Sequence, residues 1–163
     1  MRRDRGWRDV RLVAFAILSQ WAVSSVQANA GDVAIIVNKA NAINGISSSE
    51  LAKLLKQDRQ HWADGRRVYL ILREAGSTEK KIMLRKVYKT NEIDLKRFLV
   101  AKLYRGDITS LPKTLSSNEA VKRFVSQVPT AIGFIDAAMA GPETKILRVD
   151  GKLPGEPEYL LSE

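Results

Sequence analysis

Cysteine is absent from this 163-residue sequence, and histidine occurs only once, as His61. The lack of cysteine excludes disulfides, thiol catalysis, cysteine-ligated zinc and iron–sulfur clusters. A serine–histidine–acid triad would need His61, for which the spacing identifies no serine or acidic partner. Scattered carboxylates around one histidine give no metal-ligand spacing, and neither a Walker-type loop nor a dinucleotide fingerprint is present. We predict a protein that is not an enzyme and that holds no metal or cofactor.

Aromatic residues are also scarce, at 7% of the chain, whereas basic residues are in excess. Lys and Arg number 27 against 18 Asp and Glu, which gives a formal net charge of +9. Proteins that bind single-stranded nucleic acid place aromatic side chains for base stacking among their basic residues. Here Lys and Arg are spread over several helical segments with few aromatics between them. The composition therefore favours anionic small molecules or anionic membrane surfaces as partners over nucleic acid.

The first thirty residues have the pattern of a secretory signal peptide. Five arginines lie before position 12, an apolar stretch follows from Leu12 to Val26, and Ala28-Asn29-Ala30 has the A-x-A form of a cleavage site. A membrane anchor is the alternative, but polar residues interrupt the stretch, and it is shorter than the roughly 20 apolar residues that a spanning helix needs. Cleavage after Ala30 would leave one periplasmic domain, residues 31–163, with 22 Lys and Arg, 16 Asp and Glu and a formal charge of +6.

The rest of the chain alternates apolar runs with helical patterns. Three continuous apolar runs predict buried strands at 33–37, 68–72 and 131–135, with further candidates at 145–149 and 159–161. Apolar periodicity predicts helices at 47–57, 77–89, 92–104 and 117–128, with Ser47 and Ser116 placed as caps of the first and last. This order predicts an α/β fold in which helices flank a central, mostly parallel sheet. The helical side chains expected in its core are Leu51, Val87, Phe98, Leu99 and Phe124.

Two further patterns concern the solvent-facing parts of the chain. In the second predicted helix Lys80, Lys81, Arg85 and Lys89 lie opposite the apolar side chains and are expected to face water. Residues 150–157 are dense in Gly, Pro and acidic residues, which predicts a hairpin-like return that closes the domain.

The segment from Val68 to Lys80 has the order of an anion-binding site. An apolar strand leads through Arg73 to a helix that begins at Ser77 or Thr78. A helix N-terminus offers unpaired backbone N–H groups and the positive end of its dipole, hydroxyls add donors, and an arginine presents a planar fork matched to oxyanions. We therefore predict a ligand site formed by Arg73, Gly76, Ser77 and Thr78. An ordinary N-cap at Ser77 is the alternative.

Several segments together resemble the substrate-binding proteins of phosphate ABC transporters, which belong to the periplasmic type II binding-protein superfamily. The matching segments are Asp32–Asn38, Ser49–Leu51, Trp62–Gly65 before the strand that ends at Arg73, Gly76–Thr78, Pro129–Ile135, and Val149–Lys152 with Pro154 and Tyr159. They extend over nearly all of residues 31–163. The resemblance implies a single lobe of such a protein, exported to the periplasm, with Arg73 and Ser77 at the positions of the family's phosphate-binding Arg and Ser.

The sequence departs from this family in two ways. Thr78 stands where the family has Gly and Glu79 where it has Thr, and a carboxylate there would repel an oxyanion unless it turned outward. The chain is about half as long as two-lobed members, and the second lobe's Ser/Thr helix start and acidic residue have no counterpart in it. One side of a ligand would then face water, where charge–charge contacts are weak.

Two functional hypotheses follow from these observations. In the first, the chain is an exported solute-binding module that holds phosphate or a related oxyanion at the helix N-terminus and works with a membrane transporter or another periplasmic protein. In the second, it is a non-catalytic interaction or sensory protein that keeps the lobe as a scaffold without a ligand. Arg73, Gly76 and Ser77 favour the first hypothesis, whereas Glu79 and the single lobe favour the second.

Overall fold

A computed structural model describes residues 31–163. The predicted signal peptide, residues 1–30, lies outside these described residues. Between residues 31 and 163, no helix combines the length and the apolar character needed to cross a membrane. All elements described below lie after residue 30, the predicted cleavage site.

Seven strands and four α-helices make up the described part of the chain. They are β1 (Val33–Asn38), β2 (Gly45–Ile46), α1 (Ser48–Leu55), β3 (Tyr69–Arg73), α2 (Thr78–Met83), α3 (Glu92–Tyr104), β4 (Lys113–Leu115), α4 (Asn118–Gln127), β5 (Ala131–Asp136), β6 (Thr144–Ile146) and β7 (Arg148–Val149). A π-helical segment, Leu84–Tyr88, continues α2 directly, and a 3-10 turn, Ala137–Met139, follows β5. The four predicted helices are therefore present.

Each α-helix begins at a polar residue whose side chain accepts a hydrogen bond from a backbone N–H three residues further on. These N-caps are Ser47, Ser77, Asn91 and Ser117. The caps at Ser47 and Ser77 are as predicted. The last helix is capped by Ser117 and not by Ser116, because the Ser117 Oγ accepts the N–H of Ala120 at 3.1 Å.

The main sheet has the strand order β4-β3-β5-β1-β6. Strand β3 is parallel to both its neighbours, β4 and β5, whereas β1 is antiparallel to both β5 and β6. Four strands thus run in one direction and β1 alone runs in the other. The predicted α/β fold, with helices flanking a mostly parallel sheet, is confirmed.

Both faces of this sheet are covered. On one face the buried side chains of α1, α2, the π-helical segment and α3 pack against Val33, Ile35, Leu70, Leu72 and Phe134 of the strands. On the other face α4 contributes Val121 and Val125, which pack against Ala34, Ile36, Ile71 and Ile135. The predicted core residues Leu51, Val87 and Leu99 are at most 6% exposed. The continuous apolar runs of β1, β3 and β5 are explained by this burial on two sides.

Two of the predicted core aromatics are not fully buried. Phe98 is 39% exposed, because α3 turns Leu95, Leu99 and Lys102 inward and leaves Phe98 at the flank. Its ring lies 5.2 Å from the Lys102 ammonium, which also pairs with Asp58. Phe124 is half-buried and its ring packs at 5.2 Å against the exposed ring of Tyr69. The prediction that Phe98 lies in the core is therefore wrong, whereas Phe124 packs against the core on the α4 face without being fully buried.

The predicted strand at 145–149 is two strands in different sheets. Strand β6 pairs with β1 in the main sheet, and β7 pairs with β2 in a separate two-stranded sheet. Between them Leu147 is fully buried, and its N–H donates to the carbonyl of Ile35 at 2.8 Å. The chain thus crosses from one sheet to the other within a single apolar segment. Strands β2 and β4, of two and three residues, are too short for a sequence pattern to predict.

The C-terminal segments are turns rather than strands. Asp150 and Gly151 both have positive φ, 49° and 83°, and connect Val149 to Lys152 through two reciprocal backbone hydrogen bonds. The predicted hairpin-like return is therefore correct. Residues 159–161 do not form the predicted strand, although the Leu161 carbonyl accepts the N–H of Val33 at 2.9 Å.

Candidate functional site

Arg73 is the last residue of β3, and its side chain is buried at 8% exposure. Its Nη1 donates to the carbonyl of Leu115, the last residue of the parallel neighbour β4, at 3.1 Å. Its Nε is buried and, among the residues that the structure describes, has no hydrogen-bond partner. The guanidinium is therefore held in place by the sheet while one of its donors is free.

Glu79, in the first turn of α2, turns inward toward this guanidinium. Its carboxylate is 10% exposed, and Oε2 lies 3.6 Å from the Arg73 Nε. The second oxygen, Oε1, accepts a hydrogen bond from the Asn118 Nδ2 at 2.7 Å. The expectation from the sequence was that this carboxylate either repels an oxyanion or turns outward. The structure shows a third arrangement, in which Glu79 itself neutralises Arg73.

The environment keeps this carboxylate ionised. Burial on its own would raise the pKa of Glu79, but the hydrogen bond from Asn118, the Glu79 backbone N–H, the Arg73 charge and the Ser77 hydroxyl together lower it below its ordinary 4.5. Three elements thus converge on one negative charge: the end of β3, the start of α2 and the start of α4. We call these four residues, Arg73, Ser77, Glu79 and Asn118, the Arg73 cluster.

The other predicted ligand residues are Ser77, which is half-buried at the start of α2, and Gly76 and Thr78, which lie at the surface beside the cluster. Ser77 is the half-buried N-cap of α2, and its Oγ accepts the N–H of Lys80 at 3.2 Å. Gly76 has φ of 85° and is exposed, with nothing within 4 Å of where a Cβ would stand. Thr78 is exposed as well. The structure thus brings Arg73 and Ser77 around one carboxylate and leaves Gly76 and Thr78 facing solvent.

Asn118 is the one member of the cluster that the sequence did not indicate. It is the first residue of α4, and besides its bond to Glu79 it accepts the N–H of Asp136, at the end of β5, at 3.4 Å. Its side chain therefore links α2, α4 and β5. A polar residue after two serines is typical of a helix start, and the sequence contains no other signal that Asn118 contacts α2.

The described residues show no alternative centre of metal or histidine chemistry. Within residues 31–163, no group of three or more His, Asp or Glu side chains is placed to hold a metal ion. His61 is exposed and forms an isolated β-bridge with Arg67 in the loop before β3. The strongest candidate site in this part of the chain is therefore the Arg73 cluster.

Comparison with known proteins finds similarity at the level of structure only. No protein-family model and no curated protein matches the sequence. Among solved structures, an ABC-type phosphate transport receptor from Vibrio cholerae is 18% identical with a TM-score of 0.62, over 76% of this chain and 48% of that one. A phosphate ABC transporter substrate-binding protein with bound phosphate from Clostridium perfringens is 16% identical with a TM-score of 0.62, over 76% and 46%. PstS from Borrelia burgdorferi is 17% identical with a TM-score of 0.65, over 84% and 56%.

These matches confirm the predicted resemblance as a similarity of fold. The chain spans about half the length of the solved structures it matches. Identities this low show the fold alone, so the chemistry of the Arg73 cluster has to be argued from its own contacts.

Proposed function

We propose that this chain is an exported binding module of the phosphate-binding-protein type, in which Arg73 and Ser77 form an oxyanion position that Glu79 fills when no ligand is bound. It binds phosphate or a related oxyanion without catalysis, in the periplasm, together with a membrane transporter or another periplasmic protein. The observation that carries this proposal is the buried Arg73 guanidinium, which already faces a carboxylate oxygen at 3.6 Å. Support from the fold comes from the similar Clostridium perfringens protein, which is described with bound phosphate.

The chemistry around Glu79 is that of an oxyanion site. A carboxylate is itself an oxyanion, and here it receives a charge from Arg73, a hydrogen bond from Asn118 at 2.7 Å and a further interaction with Ser77. The Arg73 atom that faces Glu79 is its Nε, which is buried and forms no hydrogen bond within residues 31–163, so this donor is available to a ligand oxyanion. A ligand oxyanion would use these same donors, with the exposed turn at Gly76 and Thr78 next to it.

Ligand binding in this arrangement competes with Glu79. Phosphate must displace a buried, hydrogen-bonded carboxylate, and within residues 31–163 no second lobe covers the outer side of the ligand. We expect a dissociation constant on the order of 0.1 mM or weaker, against micromolar or better for a closed cleft. The function is therefore best tested in a variant from which the competing carboxylate has been removed.

Isothermal titration with phosphate and sulfate tests the proposal. Glu79→Thr, which restores the residue of the phosphate-binding family, should bind phosphate at least about tenfold more tightly than the parent. Glu74→Thr is the matched control, because Glu74 is an exposed carboxylate in the loop before α2 and its removal changes the net charge equally. Adding Arg73→Ala to Glu79→Thr should abolish binding without leaving a buried carboxylate unpaired.

A second candidate function is favoured by the same ion pair. Because Glu79 already neutralises Arg73, the lobe is complete without a ligand, as an interaction or sensory scaffold would be. If the folded Glu79→Thr protein binds neither phosphate nor sulfate, the oxyanion proposal is wrong and this second function replaces it. If Glu74→Thr strengthens binding as much as Glu79→Thr does, the effect is one of net charge and the site lies elsewhere.

A further inference from the structure

A separate pocket of about 200 Å³ lies between α2, α3 and the segment that leads into β4. Most of its wall is apolar and comes from Leu72, Leu95, Leu99, Val100, Leu111 and Pro112. Leu72 and Arg73 are consecutive in β3, so their side chains point to opposite faces of the sheet. This pocket is therefore on the face opposite the Arg73 cluster and shares no residue with it.

Two charged residues form the polar end of this pocket. The Lys80 side chain is only 4% exposed, and its nearest recorded partner is the Glu92 Oε1 at 3.9 Å, which is too long for a hydrogen bond. The other oxygen of Glu92, Oε2, is buried and has no hydrogen-bond partner among residues 31–163. Burial lowers the pKa of Lys80 while the Glu92 charge opposes this shift. The pocket is thus lined by an ammonium and a carboxylate that lie too far apart to hydrogen-bond to each other, although buried polar groups normally make such bonds.

The two groups together define what a ligand must offer. The Lys80 ammonium can donate to an acceptor, whereas the Glu92 carboxylate can accept from a donor. A carboxylate ligand would satisfy Lys80 but place a like charge beside Glu92, and an amine would do the reverse. A primary amide or a hydroxyl offers an acceptor and a donor within one uncharged group. The apolar wall fits a short hydrocarbon body attached to that group.

We propose that this pocket binds a small neutral molecule whose amide or hydroxyl head accepts from Lys80 and donates to Glu92, with its hydrocarbon part against Leu95, Leu99 and Val100. Lys96 lines the rim and is exposed, so its charge is screened by water and does not select for an anion. The site is independent of the proposed oxyanion position.

Three probes of nearly equal shape and different charge test this assignment. Isovaleramide, isovalerate and isopentylamine are titrated into the purified ¹⁵N-labelled protein, and the backbone amide shifts of α2 and α3 are followed by NMR. Isovaleramide should give saturable shifts with a dissociation constant on the order of 1 mM, as expected for so small a ligand. The acid and the amine should bind at least about tenfold more weakly. Saturating phosphate should leave the isovaleramide affinity unchanged, since phosphate belongs to the other face.

Variants locate the site. Lys80→Met should weaken isovaleramide about tenfold or more because a charged hydrogen bond is lost. Lys81→Met is the matched control, since Lys81 is the exposed neighbour, and it should have no effect. Val100→Phe should block the pocket and remove the shifts.

Three outcomes would overturn the proposal. Tighter binding of isovalerate than of isovaleramide would show an anion site, in which Glu92 is not an acceptor for the ligand. Equal affinity in Lys80→Met and the parent would place the probe elsewhere. Absence of saturable shifts with every probe in the folded protein would show that the pocket binds no such molecule.

Discussion

Glu79 and Lys80 are consecutive residues of α2, and both are buried charges, yet their surroundings differ. Glu79 accepts a hydrogen bond from an amide donor at 2.7 Å on one oxygen, and its other oxygen lies 3.6 Å from the Arg73 Nε, within ion-pair distance but beyond that of a hydrogen bond. Lys80 has a carboxylate at 3.9 Å and no hydrogen bond within the described residues, although its side chain is even less exposed. The cost of burying a charge depends on the hydrogen bonds that replace its water. One turn of α2 thus carries a carboxylate with a short amide hydrogen bond and a guanidinium nearby, followed by an ammonium with a more distant counter-charge and no recorded hydrogen bond.

The largest expected effect on stability comes from breaking the Arg73–Glu79 pair. Arg73→Met removes the guanidinium and leaves the Glu79 carboxylate buried without a counter-charge, which should cost about 3–5 kcal/mol of unfolding free energy. Urea denaturation measures this loss. The double variant Arg73→Met, Glu79→Met should recover most of it, because it removes both charges. A single variant as stable as the parent would show that the pair is solvated and that the cluster is more open than described.

Breaking the Lys80–Glu92 pair should change the free energy of unfolding in the opposite direction. Lys80→Met replaces an ammonium that is only 4% exposed by an apolar side chain of similar length, while the Glu92 side chain, although its Oε2 is buried, is 40% exposed and can turn into water. We expect the free energy of unfolding to rise by about 1 kcal/mol. Lys81→Met, at the exposed neighbouring position, should change it by less than about 0.5 kcal/mol. A clear loss of stability in Lys80→Met would mean that the attraction between Lys80 and Glu92 outweighs the cost of burying the ammonium.

The sequence located the local features of the Arg73 cluster but not the contacts between its members. Arg73 at a strand end and Ser77 at a helix start are local patterns, and both are where they were expected. The bond from Asn118 to Glu79 joins residues 39 positions apart. It depends on the strand order, which brings the starts of α2 and α4 together, and no spacing rule predicts it.

Lys80 was expected to face water because of its residue type, although its spacing in the helix indicated a buried position. Lys80 precedes Leu84 and Val87 by four and seven residues, which is the spacing of the buried face of a helix. It was expected in water because lysines are rarely fully buried. In α3 the residue types are also misleading, because Lys102 is turned inward and buried whereas the aromatic Phe98 is left partly exposed at the flank. In both helices the spacing carried more information than the residue type.

The smallest expected effect is a pH dependence that belongs to Glu79. Its pKa in the folded protein is below the ordinary 4.5, so the folded state binds fewer protons than the unfolded state in that range. The resulting stability is present above about pH 4.5 and is lost as the pH falls through the folded pKa of Glu79. Glu79→Gln keeps an acceptor for Asn118 but loses the charge that faces Arg73, so it should be less stable than the parent at pH 7.

The difference in unfolding free energy between parent and Glu79→Gln should therefore shrink as the pH falls below about 4.5. Thermal unfolding between pH 3 and 7 measures this difference directly. Glu74→Gln is the control, because Glu74 is an exposed carboxylate in the loop before α2. Other carboxylates also titrate in this range, but they do so in all three proteins, and the comparison cancels them. A difference that stays constant with pH would show that Glu79 has the same pKa in the folded and unfolded protein, and one that falls as the pH rises would show that its pKa is raised in the folded protein. With either result, Arg73 and Asn118 would not stabilise the ionised form of Glu79, and the carboxylate would be a weaker competitor for a ligand oxyanion than we propose.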